Sequence, residues 1–175
     1  TSGWSDMSQK IAAIEVHGDV ARVALFEASL RKAELVALDR IALTPGTSPW
    51  PEVRAHVPLE IDSIVWVSDA RSCSTRRLSF PFSDLRKVQA AVDFELESQI
   101  PFELTDAAAT WVQSGQSGQT HKSAQGVHVL TLLMRKEPLR TALAELSALE
   151  MEPRAVVHPA AVLAELAPPS LECVG

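Results

Sequence analysis

The sequence predicts a mixed α/β (α+β) fold in which a small βαββα subdomain is inserted into a larger one. The first observation is a series of apolar segments joined by short turns near the start of the chain, which is typical of an antiparallel meander. The second is the order strand, helix, strand, strand and helix between residues 71 and 150, a block of about 80 residues that is long enough for a subdomain. The third is a short strand and a helix after this block, which can return to the first sheet.

The first part of the chain predicts four strands and one short helix. The apolar run around Ile14 is followed by the turn sequence His17-Gly18-Asp19, and Pro45-Gly46 closes the third strand. Ile64-Val65-Trp66-Val67 is apolar enough for a strand whose sheet is covered on both faces. The predicted elements are strands at residues 10–16, 20–26, 34–43 and 61–68 and a helix at residues 52–56, opened by Pro49-Trp50-Pro51.

A helix with clear start and stop signals follows a strand at residues 76–82. Ser83 is a suitable N-cap because its hydroxyl can accept a hydrogen bond from the first turn, and Asp84 suits the positive end of the helix dipole. Pro101 ends the helix, since the residue before a proline is driven out of the helical conformation. Steps of three and four residues predict one buried stripe, formed by Leu85, Val88, Val92 and Leu96.

Phe94 lies almost opposite this predicted stripe. Such a second apolar spot is explained in one of two ways: the helix is covered on both sides within its own chain, or it offers the spot to another protein. Burial statistics for large apolar side chains favour the first explanation by about two to one. Carboxylates surround the same helix end and look like a solvated acidic rim that attracts a basic partner surface: Asp93, Glu95, Glu97, Glu103 and Asp106.

The last third of the chain completes the inserted block and then leaves it. A glycine-, serine- and glutamine-rich segment at residues 114–126 predicts a mobile hairpin loop between two strands. Pro138 is expected at the first position of a helix that runs to Glu150. The remaining predicted elements are strands at residues 107–113, 127–135 and 154–158 and a final helix at residues 159–166.

Composition and charge exclude several classes of function. A net charge of −6 argues against binding to nucleic-acid phosphates, which requires a basic face. No run of about 18 apolar residues predicts a membrane span, and the polar start lacks the apolar core of a signal peptide. Residues 1–6 look like a tag remnant before a natural start at Met7. Cys73 and Cys173 lie far apart, which predicts two free thiols in a reducing cytoplasm.

No catalytic or ligand-binding motif is apparent. The segment from Gly115 to Ser123 lacks the glycine spacing of a phosphate-binding loop and leads into a strand rather than a helix. The five histidines have no metal-ligand spacing, so we expect ordinary surface or strand-end histidines and no metal site. No serine or cysteine stands in a nucleophile-elbow context. We therefore predict no catalytic residue.

The motif around the central helix resembles one protein family. Leu78-Ser79-Phe80-Pro81-Phe82, followed by a helix that ends with Phe94-Glu95-Leu96-Glu97-Ser98-Gln99-Ile100-Pro101-Phe102, is similar to the cytoplasmic part of the L subunit of type II secretion systems (GspL) and to its relative PilM of type IV pilus assembly. The segments 11–26 and 129–158 support the match, which extends over residues 10–166.

The resemblance implies the first half of an actin-like ATPase fold. Residues 7–70 and 151–168 would form a ribonuclease-H-like subdomain, 71–150 the inserted βαββα subdomain and 169–175 a tail. Nucleotide-binding relatives carry an aspartate and a glycine at the first β-turn and a lysine on the second strand, and the aligned positions here are Glu15, His17 and Arg22. Because only glycine lets the backbone approach a phosphate closely, the nucleotide site looks lost and we expect no cofactor.

The resemblance also implies a function through partners. We expect a non-enzymatic scaffold on the cytoplasmic side of the bacterial inner membrane, attached to the membrane only through a segment absent from this chain. Its implied partners are a GspE-like secretion ATPase, a GspM-like inner-membrane subunit and a second copy of itself, with no nucleic acid. The residues expected to contact a partner are Phe94, Glu95, Glu97 and Phe102. The alternatives are a PilM-like ATP-binding protein of pilus assembly and a generic dimerisation module.

Overall fold

A computed structural model describes residues 8–114 and 126–159 of the chain. These residues belong to two compact units, one formed by residues 8–70 and 140–159 and the other by residues 71–114 and 126–139. The predicted domain limits of 7–70 with 151–168 and of 71–150 stay a prediction. The strands are β1 (Gln9–His17), β2 (Val20–Ala28), β3 (Ala33–Ala42), β4 (Ser63–Val67), β5 (Cys73–Phe80), β6 (Ala107–Ser114), β7 (Val127–Arg135) and β8 (Ala155–Val157), and the helices are α1 (Trp50–Arg54), α2 (Leu85–Gln99) and α3 (Lys136–Ala148).

The first unit is built on a five-stranded mixed sheet in the order β3-β2-β1-β4-β8. The predicted meander is confirmed, because β1 pairs antiparallel with β2 and β2 antiparallel with β3. β4 is added parallel to β1 on its other side, and β8 parallel to β4. Parallel neighbours need a crossover between them, which explains why the chain leaves the sheet after β4 and returns to it only at β8.

The core of this unit follows the two-residue period of its strands. Ala12 and Ile14 of β1 are completely buried, as is Ala21 of β2, while their sequence neighbours are not. The indole of Trp50, in the short helix α1, stands edge-on to that of Trp66 in β4, with ring centroids 5.3 Å apart. The remaining large buried side chains of this core include Val53, Leu146 and Met151.

The second unit is a three-stranded antiparallel sheet, in the order β5-β7-β6, that carries the helix α2. Alternate residues of β7 are buried, so one face of this sheet forms the core. The buried side chains of the stripe on α2 join this core, which consists of Leu78, Val88, Val92, Leu96, Ala107, Val127, Val129 and Leu133. The strand, helix, strand, strand order expected from the sequence is therefore present.

The structure corrects three expectations about helix ends and faces. Asp84, not Ser83, is the N-cap of α2, and its Oδ1 accepts hydrogen bonds from the backbone N–H groups of Arg86 and Lys87 at 3.0 and 3.2 Å. Leu85 is 60% exposed, because the first residue of the helix lies beyond the edge of the core, so the buried stripe contains only the other three residues. Pro138 is the third residue of α3 rather than the first.

Several expectations lie outside the described residues. These are the tag remnant at 1–6, nearly all of the loop at 114–126, the final helix at 159–166 beyond its first residue, Cys173 and the tail at 169–175. In the described part of the chain, every helix is too short or too polar to cross a membrane.

Candidate functional site

The β1–β2 hairpin carries the three positions that the sequence resemblance aligns with a nucleotide site, Glu15, His17 and Arg22. Glu15 and Arg22 are direct cross-strand partners, and Arg22 Nη1 lies 2.7 Å from Glu15 Oε2. His17 ends β1, and its Nδ1 lies 3.6 Å from Asp69 Oδ1. The two-stranded geometry thus brings Glu15 and Arg22 together in a hydrogen-bonded ion pair. Arg22 would have to leave Glu15 before it could neutralise a phosphate.

The turn of the same hairpin contains a glycine one residue beyond His17. Gly18 has a left-handed backbone with a φ of 61°, and an added Cβ would meet no atom within 4 Å. A cavity of about 300 Å³ lies beside this turn and is lined in part by Gly18, Asp19, Thr44 and Gly46. The backbone of the turn is therefore open to a ligand, although the cation on the second strand, Arg22, is already paired with Glu15.

Phe94 occupies the side of α2 that faces away from the core. Its ring is 76% exposed, whereas Val92, two residues earlier in the helix, is almost completely buried. Two residues along an α-helix are about 200° apart, which explains this contrast. The first explanation for the second apolar spot was a helix covered on both sides within its own chain. It does not hold for Phe94, whose ring is exposed in this structure.

The other three residues expected to contact a partner lie around the end of α2. Glu95 Oε1 accepts a hydrogen bond from Gln99 Nε2 at 2.9 Å within the same helix. Glu97 and Phe102 line one shallow cavity of about 330 Å³, together with Glu103. Phe94 and Glu95 are not among the residues that line it. The structure therefore brings Glu97 and Phe102 together and leaves Phe94 and Glu95 on the helix outside their cavity.

Two neighbours of this region come from β6 and β7. The Arg135 guanidinium lies over the ring of Phe102, 4.6 Å from its centroid, which holds this half-buried ring against the core. Trp111 Nε1 donates a hydrogen bond to Gln89 Oε1 at 2.9 Å and so joins β6 to α2. Neither contact follows from sequence spacing, because each joins elements that are distant along the chain.

No metal centre is formed by the residues that the structure describes, since they contain no group of three histidine, cysteine, aspartate or glutamate side chains placed to hold an ion. One histidine–carboxylate contact joins His56 Nδ1 and Asp39 Oδ2 at 3.1 Å, and both side chains are exposed. Such a pair has two ligands, whereas protein metal sites usually supply three or four.

Comparison with solved structures shows which fold this architecture belongs to. The cytoplasmic domain of EpsL, an inner-membrane component of the type II secretion system of Vibrio cholerae, aligns with 85% of the chain at a TM-score of 0.57 and 16% identity. A chain of the PilM-PilN type IV pilus biogenesis complex aligns with 84% of it at a TM-score of 0.61 and 18% identity. A Bacteroides thetaiotaomicron protein described as having an actin-like ATPase fold aligns with 90% of the chain at 9% identity and a TM-score of 0.47, and 55% of that protein is covered.

The chain thus has a mixed α/β fold, as the sequence predicted, and shares it with the cytoplasmic domain of EpsL and with the pilus chain. The predicted likeness to the L subunit of type II secretion systems and to PilM is confirmed as a likeness of fold. The chain spans 57% of the EpsL chain and 46% of the pilus chain. No protein-family model matches the sequence, and the search of curated proteins gives no match either.

Proposed function

We propose that this chain is a non-enzymatic scaffold of a type II secretion system, located on the cytoplasmic side of the bacterial inner membrane, where it recruits a GspE-like secretion ATPase for protein export. The observation that carries the proposal is the fold shared with the cytoplasmic domain of EpsL, which is described as an inner-membrane component of such a system. Because one fold can host many functions, the surface features of this chain must support the assignment as well.

The β1–β2 hairpin supports a role without nucleotide hydrolysis. The carboxylate of Glu15 and the guanidinium of Arg22 neutralise each other, and the side chain of His17 occupies the position at which nucleotide-binding relatives are expected to carry glycine. Phosphate sites are usually built from backbone N–H groups and uncompensated cations. At the position where those relatives are expected to carry lysine, this hairpin has Arg22, which is paired with Glu15.

Phe94 supports recruitment of a protein partner through α2. Exposed aromatic side chains are unfavourable in water and are enriched among the residues that contribute most to protein–protein binding. Glu95 and Glu97 lie on the same helix, and Phe102 follows it, so a basic partner surface would be steered towards this apolar contact. The proposed partners are the GspE-like ATPase at this surface, a GspM-like inner-membrane subunit and a second copy of the chain.

Binding to the cognate GspE-like ATPase tests this proposal directly. We expect Phe94→Asp to weaken binding by about tenfold or more, because a hot-spot aromatic contributes about 2 kcal/mol or more. Leu85→Asp is the matched control, because Leu85 is also exposed on α2 and receives the same substitution. Circular dichroism and thermal unfolding of both variants check that the fold is retained.

Three results would contradict parts of the proposal. Absence of binding between the unsubstituted chain and the ATPase would refute recruitment and leave a dimerisation module as the simpler description. Equal losses from both substitutions would exclude Phe94 as the contact. Unfolding caused by Phe94→Asp alone would show that its side chain belongs to the core, contrary to its exposure in this structure.

A second candidate is a PilM-like ATP-binding protein of type IV pilus assembly. The open Gly18 turn, its adjoining cavity and the fold shared with a chain of the PilM-PilN complex favour it. Binding of ATP at about 100 times its Kd would stabilise the folded full-length protein by about 2.7 kcal/mol and raise its Tm. We expect no such shift with millimolar ATP and magnesium, and a clear shift would favour the pilus-type function instead.

A further inference from the structure

β3 is an edge strand of the five-stranded sheet and exposes several apolar side chains. Leu35, Val36 and Leu38 are 52%, 59% and 63% exposed. An edge strand of this length, with ten residues, presents unpaired backbone groups to any strand that comes alongside. Natural proteins usually carry features that prevent unwanted pairing at such edges. The charges and the bulge of β3 therefore indicate which added strands it disfavours and which it favours.

The hydrogen bonding at the end of β3 shows which backbone groups face the open edge. Leu43 N donates to Asp19 O at 2.8 Å, so the backbone of Leu43 faces the β1–β2 hairpin. Antiparallel strands alternate between pairs that exchange hydrogen bonds and pairs that do not. It follows that the N–H and C=O groups of Leu38, Arg40 and Ala42 point away from β2 and towards the open edge.

Among the described residues, the charges across the sheet leave Arg40 without a counter-charge at this edge. Arg22 lies directly opposite Glu15 on one side and directly opposite Arg40 on the other. Glu15 forms an ion pair with Arg22. Among the described residues, Arg40 has neither an ion pair nor a side-chain hydrogen bond. Like charges directly opposite each other in a sheet are unfavourable. A carboxylate on the far side of Arg40 would offset this repulsion.

We propose that β3 accepts an additional strand from another protein, an extended segment with an acidic residue opposite Arg40 and an apolar residue opposite Leu38. Backbone hydrogen bonds to Leu38, Arg40 and Ala42 hold the segment, and the two side-chain contacts select its sequence. This surface lies on the first unit and is distinct from the α2 surface of the proposed ATPase contact.

A second copy of β3 is disfavoured as the added strand. Ala37 pairs with Leu25 and Leu35 with Phe26, so Val36 is an extra residue that bulges the strand. The bulge changes which residues of β3 direct their N–H and C=O groups towards the open edge. Regular pairing with an added strand is therefore confined to the part of β3 after the bulge. The symmetric register that uses Leu38, Arg40 and Ala42 of both copies places Arg40 opposite Arg40, and this like-charge pair opposes it.

Titration of the isotope-labelled chain with short blocked peptides tests the proposal by amide NMR. One peptide alternates threonine and valine and carries one glutamate two positions before a valine, and the other has lysine in place of the glutamate. We expect the glutamate peptide to shift the amide signals of Leu38, Arg40 and Ala42, to slow their hydrogen exchange, and to bind about tenfold more tightly than the lysine peptide.

Charge reversal at the edge supplies the second measurement. Arg40→Glu is expected to invert the preference between the two peptides, and Arg40→Gln to abolish it, while Arg31→Glu in the preceding hairpin leaves it unchanged. Equal binding of both peptides to the unsubstituted chain, or signals that shift only outside β3, would overturn the proposal. Self-association mediated by β3, detected by sedimentation and lost in Leu38→Asp, would also overturn it, in favour of a second copy.

Discussion

Replacement of Gly126 by alanine tests the backbone packing at the start of β7. Gly126 has a φ of 89°, and an added Cβ would lie 2.3 Å from the backbone oxygen of Phe80 and 3.4 Å from Cα of Pro81. Backbone in this region costs an L-residue about 1–2 kcal/mol. The overlap with Phe80 adds about 1–3 kcal/mol, because a backbone carbonyl in a paired strand cannot move aside freely.

The expected loss of unfolding free energy for Gly126→Ala is therefore about 2–5 kcal/mol. In a chain of this size each kcal/mol lowers Tm by about 2–4 °C, so this loss in the second unit should lower Tm by about 4–20 °C. Hydrogen exchange of the β7 backbone amides reports on this unit separately, which matters because two units need not unfold together.

Gly46→Ala provides the matched comparison. Gly46 also has a left-handed backbone, with a φ of 80°, but its added Cβ would meet no atom within 4 Å. It should therefore cost only about 1–2 kcal/mol, without the overlap contribution. If the two substitutions are equally destabilising, or if Gly126→Ala is neutral, the close approach of Gly126 to Phe80 does not exist and the reasoning is refuted.

Three further pairs of substitutions test particular structural features by chemical denaturation. Asp84→Ala should cost about 1 kcal/mol because it removes the N-cap of α2, whereas Ser83→Ala should be nearly neutral; the reverse order would contradict the observed cap. Leu96→Ala should cost about 2–5 kcal/mol because Leu96 is buried, while Phe94→Ala should change stability by less than about 0.5 kcal/mol. Glu150 has a φ of 56°, so Glu150→Val should be less stable than Glu150→Gly by about 1–2 kcal/mol, and equal stabilities would contradict this backbone conformation.

The sequence indicates one of the two proposed surfaces, the exposed side of α2 at Phe94, but not the other, the edge of β3 at Arg40. Phe94 is placed opposite a buried stripe by helical periodicity alone, and the structure agrees that it faces away from the core. Arg40 carries no such signal, because its importance depends on β3 being the outer strand and on Arg22 lying opposite it. A resemblance between motifs indicates neither a strand order nor a register.

Local patterns predicted most of the elements and the mixed α/β class. Alternating or continuous apolar runs, turn sequences such as His17-Gly18-Asp19 and the proline after α2 act over a few residues, so they can be read without knowing what packs where. The resemblance to the L subunit rested on the motif from Leu78 to Phe102, and the likeness of fold to EpsL agrees with it.

Contacts between distant residues required the folded chain. The exposure of Leu85, the ion pair of Glu15 with Arg22, the packing of Arg135 over Phe102 and the open edge at β3 each depend on which elements become neighbours. Burial and cross-strand pairing are properties of the assembled sheet, and a one-residue shift in register exchanges the inner and outer faces of a strand. For this reason the chain sequence indicates that α2 has a second apolar spot, while the folded structure shows that Phe94 is exposed and that Arg40 lies on the outer strand of its sheet.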